Sequence, residues 1–536
     1  MSTETRESAP KAPGRTTATG IAVGLLTVGA ALGAAELTAA LARTTSPVVA
    51  VGDAMVDNSP PAAMELAIEL FGTADKLVLM AGVVAVLVAA GAFLGVVSLR
   101  RPPAAFAGLF LFGAAGALAL FLRRDDDAWA FVPVVVAVAA GAAALGLLLR
   151  SLPGTPRGRE RGEPGTPPET GANVPAPGPD RGQGRRGFVL TAAGVLAASG
   201  TAGALGRWLP SVLEGPGSRE SLSLPAAQDP LPALPRGVDL QVPGLSPFTT
   251  PNQDFYRIDT ALTVPRLDST QWTLRVHGMV DRPFEIDMDE LLSMPLKEAD
   301  ITLTCVSNEI GGDLVGNTRW LGFPLADLLR RAGVQSGADQ ILSTSQDGWT
   351  CGTPTETVMD GRDALLAVGM DGVPLPHQHG FPARMVVPGL YGYVSATKWV
   401  TEIKLTRFAD EEAYWAQRDW GVRAPIKTMS RVDVPAPLGR VDSGDVTLAG
   451  VAWAQTRGID AVEVRVDDGD WQEAELARVP GLDTWVQWIA ETDLEPGMHS
   501  AEVRATDGTG FTQPAERVDP LPDGATGWHR IRFTAE

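Results

Sequence analysis

Apolar positions run in unbroken stretches through the first two hundred residues and alternate with polar ones in much of the rest. Four uninterrupted segments, roughly 18–41, 77–99, 103–122 and 128–149, carry no charge at their centres. Each approaches the about 20 residues that a helix needs to cross the hydrocarbon core of a bilayer. Residues 1–150 are therefore read as a four-helix transmembrane region, with helices buried in a globular domain as the alternative. Residues 151–187, rich in Pro, Gly and Arg, read as a disordered linker, and a fifth apolar segment follows at 188–208. Beyond it the period changes to two. "VTLAGVAWA" (446–454), "AVEVRVDDGDW" (461–471) and "GMHSAEVRATDGTG" (497–510) predict strands, parted by Gly, Asp and Pro turns at sandwich-like spacing.

Charge orients these segments. Arg6, Lys11 and Arg15 precede the first, Arg100 and Arg101 separate the second and third, and Arg150, Arg157, Arg159 and Arg161 follow the fourth. The 42–76 loop is mainly acidic, and Arg123 and Arg124 are offset by Asp125, Asp126 and Asp127. The bias of Lys and Arg toward the cytoplasm places both ends of the four-helix region inside. The fifth segment then carries residues 209–536 out, giving a multi-pass membrane protein with an extracytoplasmic C-terminal part. That segment is introduced by "RRGFVL" (185–190), which resembles the core of a twin-arginine export signal. Paired arginines are also ordinary topology anchors. The twin-arginine route carries folded proteins, and a cofactor installed in the cytoplasm is one reason to fold first.

Residues 1–208 hold 17 Lys and Arg against 15 Asp and Glu; of the net charge of −19, residues 209–536 carry −21, from 27 against 48. This excludes nucleic acid as a partner, which demands clustered Lys and Arg. It suits a cationic protein partner through long-range steering, or serves solubility alone.

The chain has two cysteines, Cys305 and Cys351, too few for a disulfide framework. "DITLTCVSNEIGG" (300–312) ends an alternating run at Cys305, followed by turn-prone Ser307, Asn308, Gly311 and Gly312. A thiol at a strand end beside a loop can serve as a metal-binding thiolate or nucleophile. An inert buried cysteine and a Cys305–Cys351 disulfide are the competing readings.

"TPNQDFYRIDT" (250–260), "TRWLGFPLADLL" (318–329), "LPHQHGFPARMVVPGLYG" (375–392) and "ATKWVTEIKL" (396–405) surround this segment in that order. Together they resemble the molybdopterin-binding domain of the sulfite oxidase family, over roughly residues 240–410. The resemblance implies an α+β fold there. The "DDGDW" turn, "TWVQWIAE" (484–491) and "GWHRIRF" (527–533) extend it to an all-β immunoglobulin-like dimerisation domain over 425–536, and hence to a homodimer. It further implies that Cys305 is the single protein thiolate on molybdenum, a soft donor suited to a metal that also carries dithiolene sulfurs. His379, Arg384, Thr397 and Lys398, with Asn252, Tyr256 and Arg257, match positions that hold the cofactor. Read alone, Arg384 and Lys398 could be surface charges and His379 a satisfied loop histidine.

Two departures bear on the substrate. Family members that oxidise sulfite carry an Arg five residues after the cysteine, where this chain has Ile310. They carry a Tyr in the segment matching "LLAVGMDG" (365–372), where it has Val368. Arg257 and Arg319 remain as candidate catalytic cations for an anionic substrate. No CxxCH motif or cysteine cluster points to haem or an iron–sulfur centre. All five histidines, His277, His377, His379, His499 and His529, follow the membrane region, so its four segments cannot ligate haem through histidine. Electrons are expected to leave to a separate carrier, cytochrome c-like or a quinone. The function expected is a membrane-anchored molybdopterin oxidoreductase that transfers an oxygen atom to or from a small sulfur compound. The alternatives are a sulfoxide reductase-like enzyme and a non-catalytic anchored binding protein that keeps the fold.

Overall fold

The structure, a computed structural model, describes residues 17–42, 44–59, 70, 75–122, 128–152, 181–213 and 218–536. These fall into two compact units, one within Met1–Gly215 and the other within Pro216–Glu536.

The first unit is helical: α1 (Thr17–Ala42), α2 (Pro47–Asp57), α3 (Asp75–Ser98), α4 (Pro102–Leu122), α5 (Val132–Ser151) and α6 (Arg181–Leu213). Five stretches are long and apolar enough to cross a membrane: Thr17–Ala42, Lys76–Ser98, Pro102–Phe121, Trp129–Ser151 and Arg186–Leu209. They coincide closely with the five segments read from hydropathy. Helix α2 falls where the pattern indicated only a loop; Pro47 begins it, and the Ser46 hydroxyl accepts from Val48 N at 3.3 Å. The same hydroxyl donates to the Glu36 carboxylate at 2.5 Å, so the one acid in the first apolar segment is partnered. Helix α6 starts at Arg181, inside the segment read as linker, because a helix propagates outward cheaply once an apolar stretch has nucleated it. The rest of that linker, 153–180, lies outside the described residues, as does the Arg185 side chain. Two GxxxG pairs bring α1 and α3 together: a Cβ on Gly24 would stand 1.9 Å from the Gly91 carbonyl oxygen, and one on Gly95 2.1 Å from that of Gly20. Only glycine permits that approach.

The second unit begins with β1 (Thr273–Gly278), β2 (Phe284–Asp287), β3 (Lys297–Thr304), β4 (Val315–Pro324), β5 (Gln340–Ser345) and β6 (Thr350–Pro354). There follow β7 (Leu365–Met370), β8 (Val373–Pro374), β9 (Arg384–Val386) and β10 (Val400–Thr406). One sheet has the order β2-β1-β10-β5-β6; the other runs β3-β4-β7-β8, with β9 on β7. The helix Leu325–Ala332 buries Leu325, Leu328, Leu329 and Ala332, the spacing of one helical face, and stops at Gly333 in the left-handed region (φ 70°). Short helices among sheets agree with the α+β expectation. Leu274, Val276, Ile286, Leu366, Val400 and Ile403 form the core between the elements.

Two further sheets follow, with strands β11 (Met429–Val434), β12 (Arg440–Val441), β13 (Gly444–Trp453), β14 (Ile459–Val466) and β15 (Gln472–Glu473). They are completed by β16 (Glu475–Leu476), β17 (Val486–Leu494), β18 (Gly497–Asp507) and β19 (His529–Ala535). The orders are β11-β13-β17-β16 and β12-β19-β18-β14-β15. Leu448 and Trp488 of one sheet and Val462, Val503 and Phe533 of the other share one core, which makes this part a two-sheet sandwich.

Candidate functional site

Cys305 sits where β3 runs into a closed loop. Its N–H donates to the Leu314 carbonyl at 2.9 Å, its own carbonyl accepts from Asn308 N at 3.1 Å, and Asn308 Oδ1 accepts from Leu314 N at 2.9 Å. Gly311 takes the positive φ of 77° that this turn requires. The thiol is half-buried, with Sγ 2.9 Å from Ser307 Oγ. Burial pushes it up, opposed by the Ser307 hydroxyl and by the Lys398 ammonium. Both cysteines are free, so the disulfide alternative does not hold.

A chain of contacts assembles the other residues. Arg384, 5% exposed, donates to the carbonyls of His379 (3.1 Å), Met385 (3.4 Å) and Ala396 (3.4 Å), and its guanidinium lies 5.1 Å from the Trp320 ring centroid. No carboxylate pairs with it among the described residues, and burial pulls it down to about 10. His379 is buried, with Nε2 donating to the Asn252 carbonyl at 3.0 Å. Burial and the nearby Arg384 charge hold its imidazole at about 4, hence neutral. Asn252 Nδ2 donates to the Met370 carbonyl at 3.1 Å, while its buried Oδ1 has no partner among the described residues. Lys398 Nζ donates to Asp259 at 2.6 Å and to the Gln378 carbonyl at 3.3 Å; burial brings it down to about 8 against the pull of Asp259. Arg257 meets the same carboxylate at 2.9 Å from the exposed side. Tyr256 stacks on Phe255 at 5.3 Å, and its phenol is pushed far up, by burial first and then by Cys305.

Two expected residues stand apart. Arg319 forms a bidentate pair with Asp300, both contacts at 2.8 Å, and adds the Pro232 carbonyl at 3.2 Å. Asp300 and Arg319 face each other across β3 and β4, five residues along the strand from Cys305, or about 17 Å at the rise of an extended chain. The Thr397 hydroxyl meets Ser343 Oγ at 2.7 Å inside the sheet, and its carbonyl accepts from Met385 N at 2.9 Å. Ile310 packs on the main core, and Val368 is fully buried in β7. Both positions are thus filled by packed aliphatic groups.

Sequence reading missed Asp259, although it lies two residues from Arg257 in a motif already singled out; an i, i+2 pair of opposite charge was the available signal. It also missed Arg219, Gln253 and Gln378, which with Asn252 and Pro376 line an open cleft of about 350 Å³. Gln253 and Gln378 stand inside quoted motifs without a role of their own, and Arg219 stands in none.

The donor set fits an anionic, sulfur-rich group. It offers one soft thiol, two buried cations of which only Lys398 has a carboxylate partner, a neutral imidazole and an orphaned amide oxygen. A buried guanidinium without a counter-ion calls for an anion. Among the described residues no group of three or more His, Cys, Asp or Glu could hold a metal, so a metal at Cys305 would draw its other ligands from a cofactor.

The family model for the oxidoreductase molybdopterin binding domain matches residues 261–415. Mitochondrial sulfite oxidase of Mus musculus is 31% identical over 339 residues, covering 53% of this chain and 61% of that protein. The uncharacterized oxidoreductase YuiH of Bacillus subtilis is 31% identical over 156 residues, 29% of this chain and 75% of the relative. Among solved structures, the sulfane dehydrogenase SoxCD from Paracoccus pantotrophus is similar at TM-score 0.48 and 22% identity, over 54% of this chain and 84% of that one. The class is that of molybdopterin-binding oxidoreductases. Within it, the chain belongs to the sulfite oxidase family. It spans 61% of the length of the mammalian sulfite oxidase it matches.

Proposed function

We propose that this chain is a membrane-anchored molybdopterin oxidoreductase whose domain beyond residue 209 works outside the cytoplasm on a small sulfur compound. The observation that carries this reading is Arg384, buried, lacking any acidic partner among the described residues, and near the Tyr256 phenol that also feels Cys305. Bound there, the cofactor would supply two-electron oxygen-atom transfer. Cys305 would ligate the metal as thiolate. Arg384, Lys398, His379 and Asn252 would hold the cofactor's anionic and polar groups, with Thr397 contributing backbone. Tyr256, its phenol kept protonated by burial, would donate a hydrogen bond to the cofactor. Arg257, on the exposed side of Asp259, is the remaining cation that an anionic substrate would meet.

The five apolar helices and the Lys/Arg bias support multi-pass anchoring with both ends of the four-helix region inside, and "RRGFVL" supports export through a twin-arginine route. The sandwich would be the family's immunoglobulin-like dimerisation domain. The acidic charge of residues 209–536 favours a cationic cytochrome c-like electron acceptor, with membrane quinone as the rival.

A second reading, reduction of a neutral sulfoxide, is favoured by Ile310, Val368 and the capture of Arg319 by Asp300. An anion needs fixed cations, and these positions supply none. Purified full-length protein should contain molybdenum and pterin; assays with sulfite and with methionine sulfoxide then separate the two readings. Absence of both metal and pterin would leave the non-catalytic binding protein.

A further inference from the structure

Strand β3 pairs within its sheet only with β4; its other edge is bridged by Asp229 at Lys297, and farther along it meets the sandwich. Thr302 N donates to the Asp483 carbonyl at 2.9 Å. The Thr302 carbonyl accepts from Gln455 Nε2 at 2.9 Å, and the same amide lies 3.3 Å from Thr304 Oγ1. Thr302 Oγ1 accepts from Trp485 N at 2.8 Å. Gln455 is fully buried and reaches β3 across 153 residues of sequence.

The far side of Cys305 is held in the same way. Arg431 Nη1 donates to the Gly312 carbonyl at 2.7 Å while Nε meets Asp433 at 2.6 Å and Nη2 meets Ser246 Oγ at 2.8 Å. The His529 ring closes on Gly311: a Cβ there would stand 2.2 Å from its Nε2. Ile310 Cδ1 packs equally close to Gly527, where a Cβ would approach it to 2.6 Å. The segment 302–312 is therefore gripped by the sandwich at both ends, with Cys305 between the two grips.

We propose that Gln455 and Arg431 are positioning residues for the Cys305 sulfur, so that the sandwich sets the geometry of the ligand it does not itself supply. The inference rests on the reading of Cys305 as the metal thiolate. A ligand has one productive direction, and a shift of well under a bond length in its backbone redirects it. Gln455 acts on the strand and Arg431 on the loop. Gln455, two residues past β13, and Arg431, within β11, each reach a backbone carbonyl, which a side-chain substitution in the Cys305 segment could not replace.

The test uses the full-length chain carrying Cys351→Ser, which leaves Cys305 as its only thiol. Gln455→Met keeps length and removes the donor. Arg431→Lys keeps the charge beside Asp433 and loses the fork that also reaches Gly312. Arg465→Lys, which breaks a sandwich contact with Glu502 remote from β3, is the control. In cofactor-free protein, alkylation of Cys305 should speed up about tenfold in both variants, since one lost bond to a buried carbonyl raises local opening by that order, and should not change in the control. In cofactor-loaded protein, molybdenum content should hold, the molybdenum EPR line shape should change, and kcat should fall with KM within about twofold. Wild-type alkylation and EPR in both variants, with or without a lower melting temperature, would overturn the proposal and make the contacts merely structural. If the parent protein binds no molybdenum, the functional reading fails, and the alkylation rates alone still decide whether the sandwich positions this thiol.

Discussion

Replacing Arg384 with Met should change stability in opposite directions in the cofactor-free and cofactor-loaded protein. Burial lowers the guanidinium from 12.5 to about 10, a charging penalty of roughly 3 kcal/mol. Three long bonds to carbonyls and the Trp320 face return about 1–2 kcal/mol of it. Met fills a similar volume without a charge, so cofactor-free Arg384→Met should be more stable by about 1–2 kcal/mol, a rise of a few degrees for a unit of this size. In loaded protein the substitution leaves a buried anion unpaired, at about 2–5 kcal/mol, and weakens cofactor retention at least roughly 30-fold. Thermal melts of full-length protein made with and without molybdate, alongside metal and pterin analysis, read both signs. A cofactor-free variant that melts lower while loaded protein keeps its full molybdenum content would refute the reasoning, and Arg384 would then be an ordinary core arginine.

Cys305→Ser should abolish turnover and change the molybdenum EPR signal with the fold intact, whereas Cys351→Ser, within the Ser343–Thr397 hydroxyl cluster, should be far milder; molybdenum loss from Cys351→Ser alone would reverse the assignment. Arg185→Lys with Arg186→Lys should leave the four-helix region inserted but keep residues 209–536 in the cytoplasm, because ammonium keeps the charge and lacks the planar guanidinium fork; normal protease exposure on cells stripped of their outer layers would make the fifth segment a plain anchor. Burial and the Arg431 charge hold His529 at about 4, against 6.5 unfolded, and Nδ1 accepts from Val432 N at 3.0 Å. The unfolded chain therefore binds the extra proton first, and His529 should contribute a fall in stability of up to about 3 kcal/mol as pH drops from 6.5 to 4, beside a similar contribution from His379, and nothing above pH 7. His529→Asn should remove about half of that slope in denaturant melts at pH 7.5 and 5, leaving the His379 share, and an unchanged slope would count against it.

Hydropathy located the five apolar helices to within a few residues because spanning length and composition are properties of contiguous chain. The same locality placed Cys305 at the end of β3: alternation in "DITLT" and the turn residues after it are adjacent in sequence. It could not reveal where long side chains end. Arg319 looked available as a substrate cation, but the β3–β4 register sets it opposite Asp300, and an antiparallel pairing cannot be read from either strand alone. Thr397 adjoins Lys398, yet its hydroxyl turns into the sheet toward Ser343, because neighbouring residues need not share an environment. Asp259, joining Lys398 to Arg257 across 139 residues, and Gln455 and Arg431, reaching the Cys305 segment across 153 and 119, exist as site residues only after the chain has closed. The local sequence thus decided which residues could do the chemistry. The long-range contacts, made within the sheets and where the sandwich meets β3, decided which of them meet.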